Sequence, residues 1–150
     1  RNSHLQWEVN YEPGTLEAVA YKNGKKLTSK IETTNYATKV IAVADKSSVL
    51  ADGKDGVVVN ISIVDDKGRE VPNANNIVYF KLIGDAKIIG VGNGDPSSHE
   101  QDKCSDGAWQ RSAFNGKCQV IIQAGKIVGA VKLEVKSNGL SSTVVEINQK

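Results

Sequence analysis

The alternation of apolar and polar residues along the chain predicts short β-strands. Between Gly56 and Val64 every second residue is a large aliphatic one, namely Val57, Val59, Ile61 and Ile63. A period of two puts alternate side chains on opposite faces of a strand, so this set is expected to face a core. No stretch longer than a turn spaces its apolar residues as a helix does, and β-branched residues dominate the periodic runs. The pattern therefore predicts an all-β fold.

Turn signals divide most of the remaining chain into further strands. Asp65-Asp66-Lys67-Gly68 and Asn138-Gly139 each suit a tight reversal. The predicted strands place Val78, Phe80 and Leu82 on one face, and Cys118, Val120 and Ile122, and Val131, Leu133 and Val135, facing inward. Ile88, Ile89 and Val91 are predicted to form a third short run after the central strand. Two more strands are predicted at residues 39–44 and 143–148. Many short strands at regular spacing predict an immunoglobulin-like antiparallel β-sandwich over residues 36–150, and a jelly roll is the alternative because alternation does not give strand order.

The first 35 residues predict a separate three-stranded β-meander. Leu5, Trp7 and Val9 alternate with polar residues, and Asn23-Gly24 is a strong hairpin signal between a second and a third strand. About 35 residues cannot close a sandwich by themselves, so we interpret residues 1–35 as the terminal strands of a preceding small sandwich domain. Their unpaired edges make a homo-oligomer formed through exposed strand edges one expected outcome.

Composition excludes two classes of partner. The 19 basic and 17 acidic residues leave a net charge of +2, and the basic residues form no stripe, so we predict no nucleic-acid partner. No apolar run approaches the roughly 20 residues of a membrane helix, so no membrane span is predicted.

The long irregular stretch from Gly92 to Gly116 is the best candidate for a site, since loops of this length are often functional. Trp109 would stack on a sugar face, and Asn93, Asp95, His99 and Arg111 would provide polar contacts. The alternative, which we favour, has Trp109 covering an end of the sandwich, Asp95 capping its own turn and Arg111 pairing with a carboxylate.

Metal and thiol chemistry have weaker signals. His99 with Asp95 and Asp102 lacks the repeated spacing of a metal site, so no metal and no cofactor are predicted. Cys104 and Cys118 could form one disulfide, or could be two unrelated thiols.

Two parts of the sequence resemble one family. The segment WEVNYEPGTLEAVAYKNGK, residues 7–25, resembles the last strands of the small sandwich domain that follows the catalytic barrel in bacterial β-galactosidases of glycoside hydrolase family 2. The segments ADGKDGVVVNISIVDDKGREVPNA (51–74), GVGNGDPSSHE (90–100) and RSAFNGKCQVIIQ (111–123) look like the C-terminal immunoglobulin-like domain of the same enzymes.

The resemblance implies a role without catalysis. The family hydrolyses glycosides with retention, using two carboxyls about 5 Å apart on a barrel of about 250 residues, which is longer than this chain. No catalytic motif of the family matches a position here, so no catalytic residue is assigned. The resemblance implies an accessory fragment that packs on or extends the catalytic part, with the remainder of the parent enzyme as its partner. It also implies a periplasmic or extracellular location, with a signal peptide outside this stretch.

Two other functions stay open at this point. A carbohydrate-binding module would hold substrate near the barrel, although an aromatic content of 5% is low for that role. An adhesin-like cell-surface spacer would also suit a sandwich with these turn signals.

Overall fold

A computed structural model describes residues 4–150, and strands are the only regular elements within that range. The chain divides into two compact units, one ending at Thr34 and the other spanning Asn35–Lys150. No helix among the described residues is long and apolar enough to cross a membrane.

The first unit is a β-hairpin of strands β1 (Thr15–Lys22) and β2 (Lys25–Glu32). Asn23 and Gly24 connect the strands with φ angles of 51° and 74°, as a type I′ turn requires. Large apolar side chains remain exposed on this unit, among them Trp7 (68%) and Tyr21 (74%). The hairpin predicted around Asn23-Gly24 is confirmed.

The predicted three-stranded meander is wrong in its first strand, because residues 5–9 form no strand. The ladder of the hairpin ends where Gly14 and Thr33 exchange hydrogen bonds, and the preceding Pro13 has no N–H to donate. Alternation gave residues 5–9 the pattern of a strand, but a strand also needs a backbone partner, which the pattern does not supply.

The second unit is a sandwich of two sheets, and the predicted sandwich fold is confirmed. One sheet has the order β3-β5-β9-β7 and the other the order β4-β11-β10-β6-β8. The strands are β3 (Lys39–Ala44), β4 (Ser48–Val49), β5 (Gly56–Val64), β6 (Ile77–Ile83), β7 (Ala86–Gly92), β8 (Gln110–Ser112), β9 (Lys117–Ala124), β10 (Gly129–Ser137) and β11 (Thr143–Gln149). The first order matches the A-B-E-D sheet of an immunoglobulin fold, and β11-β10-β6 matches G-F-C.

The core lies between the inner faces of the two sheets and follows the predicted alternation. The four aliphatic residues predicted on β5 are all buried. The predicted face residues of the other strands that belong to the same buried cluster are Val78, Phe80, Cys118, Val120, Ile122, Leu133 and Val135. Of the short run predicted at residues 88–91, Ile88 and Val91 are buried and Ile89 is exposed. Ile88 and Val91 both face inward although they are three residues apart, because the register of β7 against β9 shifts between Ile88 and Gly90.

Two short strands were missed from the sequence. β4 has two residues and pairs in parallel with β11, and a second parallel contact is the isolated bridge between Lys39 and Ser141. β8 interrupts the stretch predicted as an irregular loop, and it pairs with β6 from Ile77 to Tyr79. Strands of two or three residues are too short to show a period of two, so the pattern could not reveal them.

Asp65 is a buried charge that holds the turn after β5. Its carboxylate accepts hydrogen bonds from the backbone N–H groups of Asn35, Lys67 and Arg69, and from Nε of Arg69 at 2.8 Å. The Nη2 atom of Arg69 lies 2.6 Å from the same carboxylate. Burial alone would raise the pKa of Asp65, but these donors together hold it well below its usual value.

We expect Leu133→Ala to destabilise the sandwich by about 3 kcal/mol, because it leaves a cavity at a fully buried position on β10. Val144→Ala on the neighbouring β11 is the control, since Val144 is exposed and its truncation is expected to cost about 0.5 kcal/mol or less. Urea unfolding measures both values. Equal losses in the two variants would contradict the assigned core.

The buried carboxylate of Asp65 predicts a specific acid sensitivity. Its pKa is lower in the folded chain than in the unfolded one, so its contribution is complete above about pH 4 and is lost as the pH falls toward the folded value. We expect Asp65→Asn to be less stable than the wild type at pH 7 and to lose less further stability between pH 4 and pH 2. Asp106→Asn, at an exposed position, should keep the wild-type pH profile of thermal unfolding. Parallel profiles for Asp65→Asn and the wild type would refute this assignment.

Candidate functional site

The connection between β7 and β8, residues 93–109, is the longest irregular segment of the sandwich unit. Two backbone hydrogen bonds hold it against the strands: the N–H of Val91 donates to the carbonyl of Asp102, and the N–H of Phe80 donates to the carbonyl of Trp109, both at 2.9 Å. Most of the residues predicted for a site lie in this connection or on β8 directly after it. The structure places them in three different environments.

Arg111 is the centre of the first environment and is 4% exposed. Its Nη1 atom donates to Oδ1 of Asp102 at 2.9 Å and to the carbonyl of Glu100 at 3.2 Å. Its Nη2 atom donates to Oδ1 of Asn93 at 3.0 Å. These hydrogen bonds offset much of the cost of burying the guanidinium and tie the connection to β8. The Nε atom makes no hydrogen bond within residues 4–150 and lies 3.8 Å from Oε2 of Glu100. The pairing of Arg111 with carboxylates, favoured from the sequence, is the arrangement in the structure.

Asn93 and Asp95 are fixed by their own turn. The side-chain amide of Asn93 donates to the carbonyl of Ser112, and its Oδ1 accepts the N–H of Asp95. Oδ1 of Asp95 accepts both the hydroxyl and the N–H of Ser97, and these hydrogen bonds lower the pKa of Asp95. Asp95 therefore caps its own turn and stays ionised.

Glu100 shares this electrostatic environment. Its partial burial raises the pKa, but three effects outweigh that: the hydroxyl of Ser112, the N–H of Ser112, which donates to Oε2 at 2.9 Å, and the charge of Arg111. The net pKa of Glu100 is therefore lowered. Glu100 is thus a carboxylate at neutral pH.

Trp109 belongs to a different part of the surface. It is 9% exposed and packs in the core cluster. One edge of it lines a groove of about 860 Å³ between the end of β6, the start of β7 and residues 106–110, together with Tyr79, Lys87 and Glu134. The structure therefore separates Trp109 from Asn93 and Asp95, with which the sequence had grouped it.

Asn93 and Asp95 instead line a second groove, which we call the amide groove. Its volume is about 450 Å³, and three connections at one end of the sandwich form its walls. The lining residues are Asn73, Ala74, Asn75, Asn93, Asp95, Ser98, Glu100, Ser112, Ala113, Phe114 and Asn115. Only Asn93 and Asp95 of these residues were predicted from the sequence, although the Asn-rich run at 73–76 and the Phe-Asn-Gly turn at 114–116 are visible signals in it.

The other predicted site residues join neither groove. His99 is exposed and lines neither of them. Within residues 4–150, no three His, Cys, Asp or Glu side chains cluster closely enough to hold a metal ion.

Cys104 and Cys118 are free thiols, so the disulfide left open by the sequence is not formed in the structure. Cys118 faces the core from β9, and burial raises the pKa of its thiol to about 12, whereas Cys104 lies in the β7–β8 connection beside the carbonyls of Gln101 and Gln110.

Comparison with known families decides what kind of domain this is. Residues 41–146 match the family described as glycoside hydrolase family 2 C-terminal domain 5. The chain belongs to glycoside hydrolase family 2. Residues 1–28 match a second family, a domain of unknown function named DUF4982.

Similar proteins cover almost the whole chain. It is 38% identical over 148 residues to beta-galactosidase BoGH2A of Bacteroides ovatus, which is 98% of this chain and 17% of that protein. It is 35% identical over 124 residues to a putative beta-glucuronidase of Formosa agariphila, covering 79% of this chain and 11% of that protein. A solved glycosyl hydrolase family 2 member of Bacteroides cellulosilyticus has a TM-score of 0.88 and 32% identity, over 96% of this chain and 18% of that one. The chain therefore spans less than one fifth of the length of each of these relatives.

We expect Arg111→Met to destabilise the sandwich by about 2 kcal/mol, because several charge-assisted hydrogen bonds are lost. The loss should stay below that of a fully buried ion pair, since Asp102 is 80% exposed. Lys132→Met is the matched control: Lys132 faces Glu146 at 3.6 Å with both side chains about half exposed, so its loss should be about 0.5 kcal/mol or less. Urea unfolding compares the two, and a similar small loss for both would show that Arg111 does not hold the connection.

Proposed function

We propose that this chain is a non-catalytic accessory region of a β-galactosidase-like enzyme of glycoside hydrolase family 2, and that it packs on or extends the catalytic part. The observation that carries the proposal is the state of the carboxyls at the candidate site. Glycoside hydrolysis needs one carboxyl with a raised pKa to protonate the leaving group. Asp95 and Glu100 have lowered pKa values because hydrogen-bond donors and Arg111 stabilise their charged forms.

The coverage of the relatives supports the same role. The chain matches 17% of a relative named beta-galactosidase and 11% of one named putative beta-glucuronidase. Two enzymes with different substrate names share this region, so the choice of substrate belongs to another part of such proteins. A retaining reaction in the parent enzyme would take place on carboxyls outside this chain.

The sandwich is also built as a rigid support. Its core is continuous across both sheets, from Val40 on β3 to Ile147 on β11. Buried surface of this kind resists deformation, which suits a part that keeps a large enzyme in shape.

A deletion tests this role in the enzyme that carries the chain. We expect removal of residues 35–150 to lower the melting temperature of that enzyme by several degrees, because an interface with the catalytic part is lost. The purified 150-residue chain, assayed with nitrophenyl β-galactoside, should release no nitrophenol.

Two outcomes would contradict the proposal. One is an unchanged melting temperature after the deletion. The other is hydrolysis by the chain alone that Glu100→Gln abolishes and that Glu146→Gln, a control at an exposed carboxylate on β11, leaves intact.

A further inference from the structure

The amide groove has the volume of a small-molecule site and is lined by polar side chains that packing on the catalytic part does not require. Its volume of about 450 Å³ lies within the roughly 300–1,000 Å³ of small-molecule sites. The side-chain amides of Asn73, Asn75 and Asn115 line it, and none of them is hydrogen-bonded to another residue in the described range 4–150. Each amide offers two N–H donors and one carbonyl acceptor.

One carboxylate of the groove keeps an oxygen for a ligand. Ser97 occupies Oδ1 of Asp95, and Oδ2 of Asp95 accepts no hydrogen bond from residues 4–150. Glu100 is engaged by the N–H and the hydroxyl of Ser112, and the guanidinium of Arg111 lies 3.8 Å from its Oε2. The groove therefore presents free donors and free acceptors side by side.

Phe114 adds an aromatic face to this polar lining. It is 37% exposed and precedes the two-residue turn Asn115-Gly116, whose φ angles of 51° and 80° are those of a type I′ turn. The N–H of Phe114 donates to the carbonyl of Lys117, and the N–H of Gly116 donates to the carbonyl of Ala74. A Cβ on Gly116 would lie 2.5 Å from the carbonyl oxygen of Val71, so this turn is pressed against the wall that carries Asn73 and Asn75.

We propose that the amide groove binds a neutral saccharide, with Phe114 against the apolar face of a sugar ring and the Asn amides on its hydroxyls. A hydroxyl both donates and accepts, and therefore matches a lining of amides and carboxylates. An aromatic ring matches the C–H face of a sugar. This binding role goes beyond the packing role and does not depend on it.

The charges of the groove exclude acidic sugars. Asp95 and Glu100 are ionised, and the guanidinium of Arg111 is already engaged by Glu100, Asp102 and Asn93. No cation among the residues lining the groove is left to pair with a uronate carboxylate. A negatively charged ring would meet two carboxylates in a partly desolvated site, which is unfavourable.

The test is an NMR titration of the full 150-residue chain with lactose and, separately, with digalacturonic acid. We expect lactose to shift the backbone amide signals of residues 73–75, 93–100 and 112–115, with a dissociation constant of about 1 mM. Digalacturonic acid should bind at least about tenfold more weakly. Phe114→Ala should weaken lactose binding about tenfold, and Phe114→Trp should preserve it.

Tyr79→Ala is the matched control, since Tyr79 is equally exposed but lines the other groove. It should leave lactose binding unchanged. Asn75→Leu, at an exposed position, replaces Phe114→Ala if that variant does not fold, and should also weaken binding about tenfold.

Three results would overturn the inference. They are no shift with lactose at high millimolar concentration, shifts that centre on Trp109 and vanish in Tyr79→Ala, or binding of digalacturonic acid as tight as that of lactose. None of these results changes the expected outcome of the deletion experiment, so the packing role is tested independently of saccharide binding.

Discussion

The burial of two apolar faces against each other is the constraint on which the whole sandwich depends. β5 and β9 pair in the centre of one sheet, and β10 pairs between β6 and β11 in the other. Alternate side chains of these strands point into the space between the sheets, where dispersion and the hydrophobic effect favour close packing. The outward residues and the connections are therefore the only places where polar chemistry can be built.

A single buried guanidinium organises that chemistry at one end of the fold. Arg111 stands on β8, whose backbone pairing with β6 fixes its position. Burying this guanidinium without hydrogen-bond acceptors would cost free energy. The preceding connection provides the acceptors, which are side-chain oxygens of Asn93 and Asp102 and the backbone carbonyl of Glu100. The same contacts order the wall of the amide groove. One set of hydrogen bonds thus fixes both the connection and the wall of this groove.

The membership of glycoside hydrolase family 2 gives this arrangement its context. The relatives that share this region are several times longer than this chain, so the sandwich is one part of a larger protein in each of them. The two grooves differ in the exposure of their aromatic residues. Trp109, beside the larger groove, is buried in the core, whereas Phe114, beside the amide groove, is partly exposed on a tight turn. Side chains on turns, such as Phe114, are exposed to solvent, whereas Trp109 is used for packing.

Most of the fold could be predicted from alternation and turn residues. Long strands such as β5, β9 and β10 show a clear period of two, and the Asn-Gly signals mark real turns. The strand expected at residues 5–9 failed because a strand needs a partner as well as a pattern. β4 and β8 were missed because two or three residues cannot display a period.

The site could be predicted only in part. Residue type and loop length led to the predicted site at Asn93, Asp95 and Arg111, which the structure places close together. The structure also pairs Arg111 with Asp102, as the favoured alternative from the sequence expected. The grouping with Trp109 did not hold, since neighbours in sequence can face opposite sides of a connection. The sequence by itself determined the all-β class, the inward faces and the domain family. Only the tertiary structure decided that residues 73–75, 93–100 and 112–115 share one groove, because that meeting depends on how two sheets place three distant connections at the same end.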